Sequence, residues 1–298
     1  MTATVVVTTR NRKAELRQCL ESVLRQSEAP EILVVDDASD DGTIEMLKAE
    51  FASVRIVRHD RPLGYIVGRN EGARLAQGEV IISLDDDAAF SDPHIVRDTL
   101  ASFSDDRIAG VAIPYIDVNR DATIRQSAPD RTRVYLSAIF IGTAHAVRRR
   151  AFLACGGYRE ALFHQGEESD LCIRLLDAGY VIRLGSSEPI HHYESPRRDF
   201  RRMDHFGPRN AILFAWQNVP LDALLMQLPR TIAGLIVHSW QPKRLVVRLG
   251  GIVDGLWSCA RTERRPVARS TYRLWRRLQT SASPVCLPDV AGELPARA

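Results

Sequence analysis

Three consecutive aspartates, Asp85 to Asp87, follow an apolar run that is typical of a buried strand. Burial and mutual repulsion both favour the neutral form of such carboxyl groups, so the cluster is expected to meet a cation or open water. Because successive strand side chains point to opposite faces, Asp85 and Asp87 should share one face and Asp86 should point away from them. Two carboxylates on one face suit Mg²⁺ or Mn²⁺. An exposed acidic turn is the alternative interpretation.

A second acidic pair, Asp36 and Asp37, ends another apolar run and precedes a polar turn around Gly42. Aspartate and glycine are common turn formers, so the turn alone would explain this cluster. Arg69 lies ahead of the fourth apolar run, where it could pair with carboxylates at strand ends or with a phosphate or base. The glycines near it are not a dinucleotide fingerprint, because that motif follows the first strand directly, where this chain has TTRNRK.

A third acidic cluster, Glu167, Glu168 and Asp170, begins a helical pattern. Acidic side chains at a helix N-terminus interact favourably with the helix dipole, but three of them exceed what a cap requires. Farther along the chain, His191 and His192 stand side by side. Neutral imidazole is a common metal ligand, although a histidine more often has a structural role. Taken singly, neither cluster decides between a site and a structural role.

The elements that position these clusters alternate between strand-like and helical patterns. Five runs rich in Val and Ile predict strands buried on both faces, as in a mainly parallel sheet. The predicted strands are residues 4–7, 31–35, 54–57, 79–83 and 108–114, and the predicted helices between them are residues 13–26, 43–51 and 66–76. In such a doubly wound α/β domain, ligands bind beyond the carboxyl ends of the strands. The polar clusters after the first, second and fourth strands should therefore face one crevice.

Charge divides the chain into an acidic body and a basic end. From Pro196 onward the chain has 17 Lys and Arg and 7 Asp and Glu, a net charge of +10. Because the whole chain has a net charge of +3, the preceding residues carry −7. Residues from Asp199 are predicted to be mostly helical, and residues 281–298, rich in proline and small side chains, are predicted to be a disordered tail. A basic helical region indicates an anionic partner such as phospholipid or nucleic acid. A solvated, arginine-rich surface is the alternative.

Composition excludes several classes of protein. The 298 residues are 45% hydrophobic and 26% charged, which suits a soluble protein with a substantial core. Five cysteines without a CxxC pair argue against a disulfide framework and a zinc site and favour the reducing cytosol. The N-terminus does not have the pattern of a signal peptide. The longest apolar region, residues 211–240, is interrupted by prolines and charges, which argues against a membrane span.

Five motifs, in their order and strand context, resemble those of family-two glycosyltransferases with a GT-A fold, over residues 5–198. The segment that resembles the family's opening strand and helix is VVVTTRNRKAELRQCLESVLRQ. The one that resembles its nucleotide-binding turn is ILVVDDASDDGT, and the one that resembles its approach to the DxD motif is GRNEGARLAQGEVIISLDDDA. Its acceptor-side and catalytic blocks resemble GTAHAVRRRAFLACGGYRE and GEESDLCIRLLDAGY. The resemblance implies a Rossmann-like, mainly parallel sheet flanked by helices. The implied domains are a GT-A domain over 1–198, a basic helical C-terminal region over 199–280 and the tail over 281–298.

The resemblance also implies an activity: inverting transfer of a sugar from a nucleotide diphosphate sugar, UDP- or dTDP-linked, to a hydroxyl of a glycan or lipid-linked acceptor. Residues expected around the nucleotide sugar are Thr9, Arg12, Asp37, Arg69, Asp85 and Asp86. Among these, Asp37 is expected to bond the base, and Asp86, at the variable position of the motif, to matter least. Glu168 falls where the family has its catalytic aspartate, after Glu167, and would be the general base. Asp170 would contact the acceptor or cap its helix.

A divalent cation, Mg²⁺ or Mn²⁺, is the cofactor that the resemblance implies. Asp87 would be its principal ligand with Asp85, and His191 or His192 would complete the metal shell, with His191 favoured. By this interpretation the three adjacent aspartates are tolerated because the cation and its diphosphate offset them.

Other interpretations remain open at this point. A catalytically inactive nucleotide-sugar-binding protein of the same fold is the alternative function, since glutamate replaces aspartate at the base position. Nucleic-acid binding is disfavoured because no recognition motif is present. A cytoplasmic protein in peripheral contact with an anionic membrane is expected, with a packed helical subdomain or a homodimer surface as the competing view. The expected membrane-facing residues are Arg197, Arg198, Arg201, Arg202, Trp257, Trp275, Arg276 and Arg277.

Overall fold

A computed structural model of the chain describes residues 1–194, 199–237 and 242–297. Two β-sheets form its centre. The strands are β1 (Ala3–Thr9), β2 (Glu31–Asp36), β3 (Arg55–Arg58), β4 (Val80–Asp85), β5 (Ala88–Ala89), β6 (Ile108–Ala112), β7 (Tyr115–Asp117), β8 (Leu136–Ser137), β9 (Ala144–Arg148), β10 (Val181–Leu184) and β11 (Ile190–His192). The helices are α1 (Lys13–Leu24), α2 (Thr43–Glu50), α3 (Tyr65–Leu75), α4 (Ile95–Ala101), α5 (Arg149–Ala154), α6 (Glu167–Asp177), α7 (Phe200–Asn218), α8 (Leu221–Val237), α9 (Pro242–Cys259) and α10 (Arg269–Thr280).

The larger sheet has the strand order β3-β2-β1-β4-β9-β6-β10-β8. β1 pairs in parallel with β2 and β4, and β2 pairs in parallel with β3. Both faces of this sheet are covered: Val5 and Val7 pack into one core cluster and Val6 into another, which explains the unbroken run of valines. The predicted mainly parallel sheet is confirmed. The sequence patterns did not predict β9, which runs antiparallel between β4 and β6.

A smaller sheet, with the order β5-β11-β7, sits at the carboxyl end of β4. β11 pairs antiparallel with β5, which places His192 opposite Ala88, and parallel with β7, which places His192 opposite Asp117. Since β5 begins directly after Asp87, this sheet brings the acidic strand end and a late histidine together from distant parts of the sequence.

The C-terminal region is helical, as predicted. α7 begins after Asp199, whose side chain accepts a hydrogen bond of 2.9 Å from the backbone N–H of Arg202. α9 packs closely along α7 because Gly251 and Gly255 present no side chain to the α7 backbone. No helix within residues 1–194, 199–237 and 242–297 is both long and apolar enough to cross a membrane.

The last segment differs from the expectation of a disordered tail. Leu136 donates its backbone N–H to Val285 at 2.8 Å, and Leu287 donates to Val134 at 2.9 Å, so the segment lies along the edge of the larger sheet. Val290, within a 3₁₀ helix over Leu287–Val290, is fully buried. Composition misled the prediction, because a few apolar side chains among the prolines are enough to dock the segment on an exposed sheet edge.

One of the two aromatic anchors expected on the basic face is buried. Trp275 is 5% exposed and packs on Phe214, with ring centroids 5.1 Å apart, so it cannot reach a membrane. Arg202 lies over the ring of Phe163 at 5.0 Å. Trp257 is 62% exposed and does face solvent. Residues 197 and 198, and with them the predicted domain boundary, lie outside the described residues.

Candidate active site

A cavity of about 770 Å³ opens where β1, β2 and β4 end beside the smaller sheet. Its volume lies in the range typical of small-ligand sites. Ten of the residues predicted from the sequence line it: Thr9, Arg12, Asp37, Arg69, Asp85, Asp86, Asp87, Glu167, Glu168 and His192. The strand ends do therefore face one crevice. Asp170 and His191 are not among the described residues that line it.

The aspartate cluster is held by cationic side chains of the protein itself. Arg12 donates from Nη1 to Asp86 at 3.1 Å and to Asp87 at 2.5 Å. Asp86 also accepts a hydrogen bond of 2.8 Å from the Thr9 hydroxyl. Burial outweighs the effect of Arg12 and raises the pKa of Asp86 to about 7. Asp86, which was expected to matter least, is a buried carboxyl group that anchors two other side chains of the cavity.

Arg69 connects the aspartate cluster to the start of α6. It is buried and donates from Nη2 to Asp85 at 2.6 Å and from Nη1 to Glu167 at 3.3 Å. Its guanidinium also lies 4.8 Å from the ring centre of Tyr65, a cation–π contact that fixes its plane. Together with Arg12, it offsets much of the repulsion within the cluster. The three adjacent aspartates are therefore offset in part by the protein's own arginines, and not solely by a cation and its diphosphate.

Three side chains of the cavity form a donor set that fits a divalent cation. Ligand atoms of Asp85, Asp87 and His192 all lie within 4.8 Å of one another, and the Nε2 of His192 is 3.4 Å from Asp87. Two carboxylates and one imidazole suit Mn²⁺, and carboxylates suit Mg²⁺. The preference for His191 is wrong: its neighbour on β11 points into the cluster, and alternation along the strand turns His191 to the other face.

Asp117 fixes the ring of His192. The His192 Nδ1 and the Asp117 Oδ1 are 2.5 Å apart, so the Nε2 is the ring nitrogen that faces Asp87. Burial by itself would lower the pKa of His192, but its hydrogen bonds to Asp87 and Asp117 outweigh burial and raise this pKa to about 9. A carboxylate behind a ligating histidine is a common way to orient the ring.

Asp37 faces the opposite side of the cavity with most of its acceptor capacity used. It accepts hydrogen bonds from the backbone N–H groups of Leu63 at 2.7 Å and Gly64 at 2.9 Å, and it lies 2.8 Å from the Nδ1 of His59. Burial would raise the pKa of Asp37, but these hydrogen bonds outweigh it and lower the pKa. A carboxylate has about four acceptor sites, so about one remains for a donor group on a ligand.

Glu167 and Glu168 begin α6, after Gly166, which has a positive φ of 88°. Glu167 is fully buried beside Arg69, whereas Glu168 lies against Gly142 at the cavity wall. Burial and the adjacent Glu167 raise the pKa of Glu168 to about 8. A carboxyl group with such a pKa can accept a proton near neutral pH, as a general base must.

Asp170 has a structural position. It is 1% exposed and accepts hydrogen bonds from Arg159 at 2.5 Å, from Asn218 at 2.8 Å and from Arg174. These contacts join α6 to the end of α7. The prediction that Asp170 contacts the acceptor or caps the helix is therefore wrong, because its carboxylate is turned away from the cavity into this network.

The segment before α6 is held in an unusual conformation by α7. Phe163 and Gln165 have positive φ values of 59° and 68°, a region that non-glycine residues rarely adopt. The amide of Asn210 donates to the backbone carbonyls of residues 162, 164 and 165 at 2.7–2.8 Å. Such local strain persists only where surrounding contacts enforce it, and it is often found at functional sites.

Several cavity residues were missed by sequence reasoning. Among them are Asp117, Phe163, His164 and Arg202. Asp117 ends a strand, so the rule applied to Asp37 and Asp85 would have identified it. His164, whose pKa is lowered to about 4 by burial and by Arg202, stands in a polar run directly before Glu167, which is a weak signal. Nothing in the sequence pattern indicates that α7 reaches the cavity.

Comparisons with known proteins agree with this geometry. The profile of "Glycosyl transferase family 2" matches residues 4–162, more than half of the chain. The O-antigen chain rhamnosyltransferase RfbN of Salmonella typhimurium is 24% identical over 222 residues, which is 68% of this chain and 70% of that protein.

Solved structures show the same fold. A mannosyltransferase from Pyrobaculum calidifontis, in complex with GDP-Man and Mn²⁺, has a TM-score of 0.58 at 18% identity and covers 92% of this chain and 78% of its own. S. aureus TarS 1–349, in complex with UDP-GlcNAc, has a TM-score of 0.64 at 14% identity. The match covers 94% of this chain and 87% of that chain. Strand order, cavity and motifs together lead to one conclusion: the chain is a glycosyltransferase with a GT-A fold and belongs to glycosyl transferase family 2.

Proposed function

We propose that the protein transfers a sugar, with inversion at the anomeric carbon, from a nucleotide diphosphate sugar to a hydroxyl of a glycan or lipid-linked acceptor. One observation carries this proposal: a single cavity contains both the Asp85–Asp87–His192 cluster and Glu168, whose pKa is about 8. A site for the diphosphate and a base for the acceptor are what the reaction requires.

The nucleotide would bind between Asp37 and the aspartate cluster. Asp37 has an acceptor site left for an N–H of the base, while Thr9 and Arg12, held by Asp86, line the path to the phosphates. Asp85, positioned by Arg69, would meet the ribose. The base is expected to be uracil or thymine, and the solved neighbours with GDP-Man and UDP-GlcNAc keep guanine as an alternative.

A divalent cation fits the donor set described above. Asp85, Asp87 and His192 would hold Mg²⁺ or Mn²⁺, which would supply charge neutralisation at the diphosphate leaving group. The solved mannosyltransferase with Mn²⁺ supports this choice of cofactor. Asp117 keeps the Nε2 of His192 directed toward the cluster, and Arg12 holds the second oxygen of Asp87.

Glu168 would remove the proton of the acceptor hydroxyl as that oxygen attacks the anomeric carbon. Its carboxylate is placed by the start of α6 and by close contact with Gly142. Glutamate is one methylene longer than the family's usual aspartate. Gly142 makes room for this side chain, because a Cβ there would lie 2.5 Å from the Glu168 Oε1.

The acceptor and the cellular setting belong to the same proposal. The rhamnosyltransferase relative, named for the O-antigen chain, supports a role in envelope polysaccharide synthesis with a hexose or deoxyhexose as the transferred sugar. We place the protein in the cytoplasm, in peripheral contact with an anionic membrane, with a homodimer as the competing arrangement. Residues 1–198 would form the transferase domain and residues 199–280 a helical region that completes the cavity.

A thermal-shift panel of UDP-, dTDP- and GDP-sugars, each with Mn²⁺ and with chelator, tests the donor and the metal together. Stabilisation by one nucleotide class that disappears with chelator is expected, since a ligand that binds the folded state raises the unfolding temperature. Stabilisation that survives chelation would refute metal dependence. Release of the nucleotide diphosphate with an added acceptor then separates an enzyme from an inactive binding protein.

A further inference from the structure

Helices α8 and α9 each present a stripe of large apolar side chains to solvent. These side chains are between 40% and 72% exposed. We call them the apolar face: Leu221, Leu225, Met226, Ile236 and Val237 on α8, and Val246, Leu249, Val253, Leu256 and Trp257 on α9. On α9 most members are three or four residues apart, which places them on one side of that helix. On α8 they form two groups, at residues 221–226 and 236–237.

The opposite sides of these helices are already packed. Leu224 of α8 is buried in a cluster with Ala215 and Val219, and α9 lies against α7 through Gly251 and Gly255. The apolar face is therefore not a core that the fold has left incomplete. Monomeric proteins rarely expose contiguous apolar patches larger than a few hundred Å², and larger patches mark an interaction surface.

The charges around the apolar face identify its partner. Asp222 and Asp254 on these helices are paired, with Arg269 at 3.1 Å and with Arg209 at 3.0 Å, and Arg244 is paired with Asp204 at 2.6 Å. Among the described side chains of the two helices, Arg230 is the exposed charge without such a pair. Just beyond α9, Arg261 lies over the exposed ring of Trp257 at 5.0 Å. A second copy of this surface would bring arginine toward arginine. Anionic phospholipid headgroups would satisfy the arginines while the apolar side chains enter the acyl boundary.

The apolar face also leads to the cavity. At the start of α9, Arg244 pairs with Asp204 at 2.6 Å and lies 5.4 Å from the ring centre of the half-exposed Phe200. Phe200 begins α7, and Arg202 and Met203 of the same turn line the cavity. One end of the face is thus at the cavity mouth.

We infer that the apolar face seats on the surface of an anionic phospholipid bilayer and holds the cavity mouth beside the lipid headgroups. The inference deepens the proposed function and rests on it for the identity of the cavity. Of the membrane contacts predicted from the sequence, Trp257 belongs to this face, whereas Trp275 and the arginines of α10 do not. The leucines and valines of α8 and α9 were not predicted.

Flotation of the full-length chain with vesicles tests the inference. Vesicles of phosphatidylcholine are compared with vesicles that also contain phosphatidylglycerol, and the wild type should float with the anionic vesicles. Leu225→Gln combined with Leu249→Gln should lower the partition coefficient by on the order of 100-fold, because each leucine side chain contributes about a factor of ten. The matched control, Leu24→Gln with Leu75→Gln, changes two exposed leucines on α1 and α3 and should float like the wild type.

Three results would overturn the inference: no flotation of the wild type, equal losses in the two double variants, or equal binding to neutral and anionic vesicles. A wild-type dimer that Leu225→Gln with Leu249→Gln converts to monomer, without flotation of either, would assign the face to a second copy instead. Donor binding is measured by thermal shift on the same samples. Flotation without donor binding contradicts the proposed transfer reaction and not this inference. Donor binding without flotation contradicts this inference and the peripheral membrane placement, but not the proposed transfer reaction.

Discussion

Replacing Glu168 with Gln tests the base by its pH dependence as well as by its rate. The group must be ionised to accept a proton, and its pKa is about 8. At pH 7 roughly one molecule in ten carries the ionised form, so kcat/KM of the wild type should rise about tenfold between pH 7 and pH 9 and then level off. Glu168→Gln should lower kcat by about 10²- to 10⁴-fold and remove this rise.

The same substitution has a stability readout that does not depend on turnover. In the folded chain Glu168 keeps its proton up to about pH 8, whereas the unfolded chain releases it near the ordinary value of 4.5. The unfolded state therefore binds fewer protons across this window, and the free energy of unfolding falls as the pH rises through it. Glutamine does not titrate. Glu168→Gln should therefore unfold at a higher temperature than the wild type at pH 8, and the difference should shrink toward pH 5.

Initial rates of nucleotide diphosphate release and melting curves, both taken from pH 5 to pH 9, check these two expectations. Donor affinity should change by less than about threefold, because Glu168 is 4.0 Å from Arg69, its nearest cationic neighbour, and Arg69 keeps its bond to Asp85. Glu28→Gln, at an exposed position outside the cavity, is the control. A variant that retains more than about one-tenth of kcat, or the wild-type pH rise, refutes Glu168 as the base.

Three further substitutions probe the residues that support the site. Gly142→Ala would place a Cβ 2.5 Å from the Glu168 Oε1 and 3.0 Å from the Arg69 Nη1, so kcat should fall about 100-fold in steady-state assays. Asp117→Asn should weaken Mn²⁺ binding by about 10- to 100-fold in calorimetric titration, because His192 loses its orienting carboxylate. Asn210→Ala removes three hydrogen bonds to the backbone before α6 and should lower both kcat and the melting temperature, the latter by a few degrees. If the measured value does not change for one of these variants, the role given to that residue in supporting the site is contradicted.

The mainly parallel sheet and the crevice at its carboxyl edge followed from the sequence because they depend on local signals. Unbroken runs of Val and Ile mark strands buried on both faces, and polar residues directly after them must gather at one edge. Thr9, Asp37 and Asp85 were found in this way. The acidic start of α6 was found because three carboxylates exceed what a helix end needs.

What the sequence could not predict depends on contacts between distant segments. β11 is three residues long, so the choice between His191 and His192 rests on its pairing with β5 and β7. Asp170 stands two residues after Glu168 in the sequence, but the helical turn directs it toward Arg159 and the end of α7. Trp275 lies in an amphipathic pattern on α10. Such a pattern indicates an apolar face, but it does not show whether that face packs against the protein or against a membrane.

Arg69, which separates the adjacent carboxylates, also joins the two parts of the candidate site, the aspartate cluster and the start of α6. Arg69 is buried and bonded at once to Asp85, on the donor side, and to Glu167, beside the candidate base. A ligand that moves Asp85 would also move Arg69, and Arg69 would in turn change its contact with Glu167, beside Glu168. Residues that share a partner in this way have non-additive effects when they are replaced. Under the proposed function, Arg69 would therefore couple donor binding to the placement of the base.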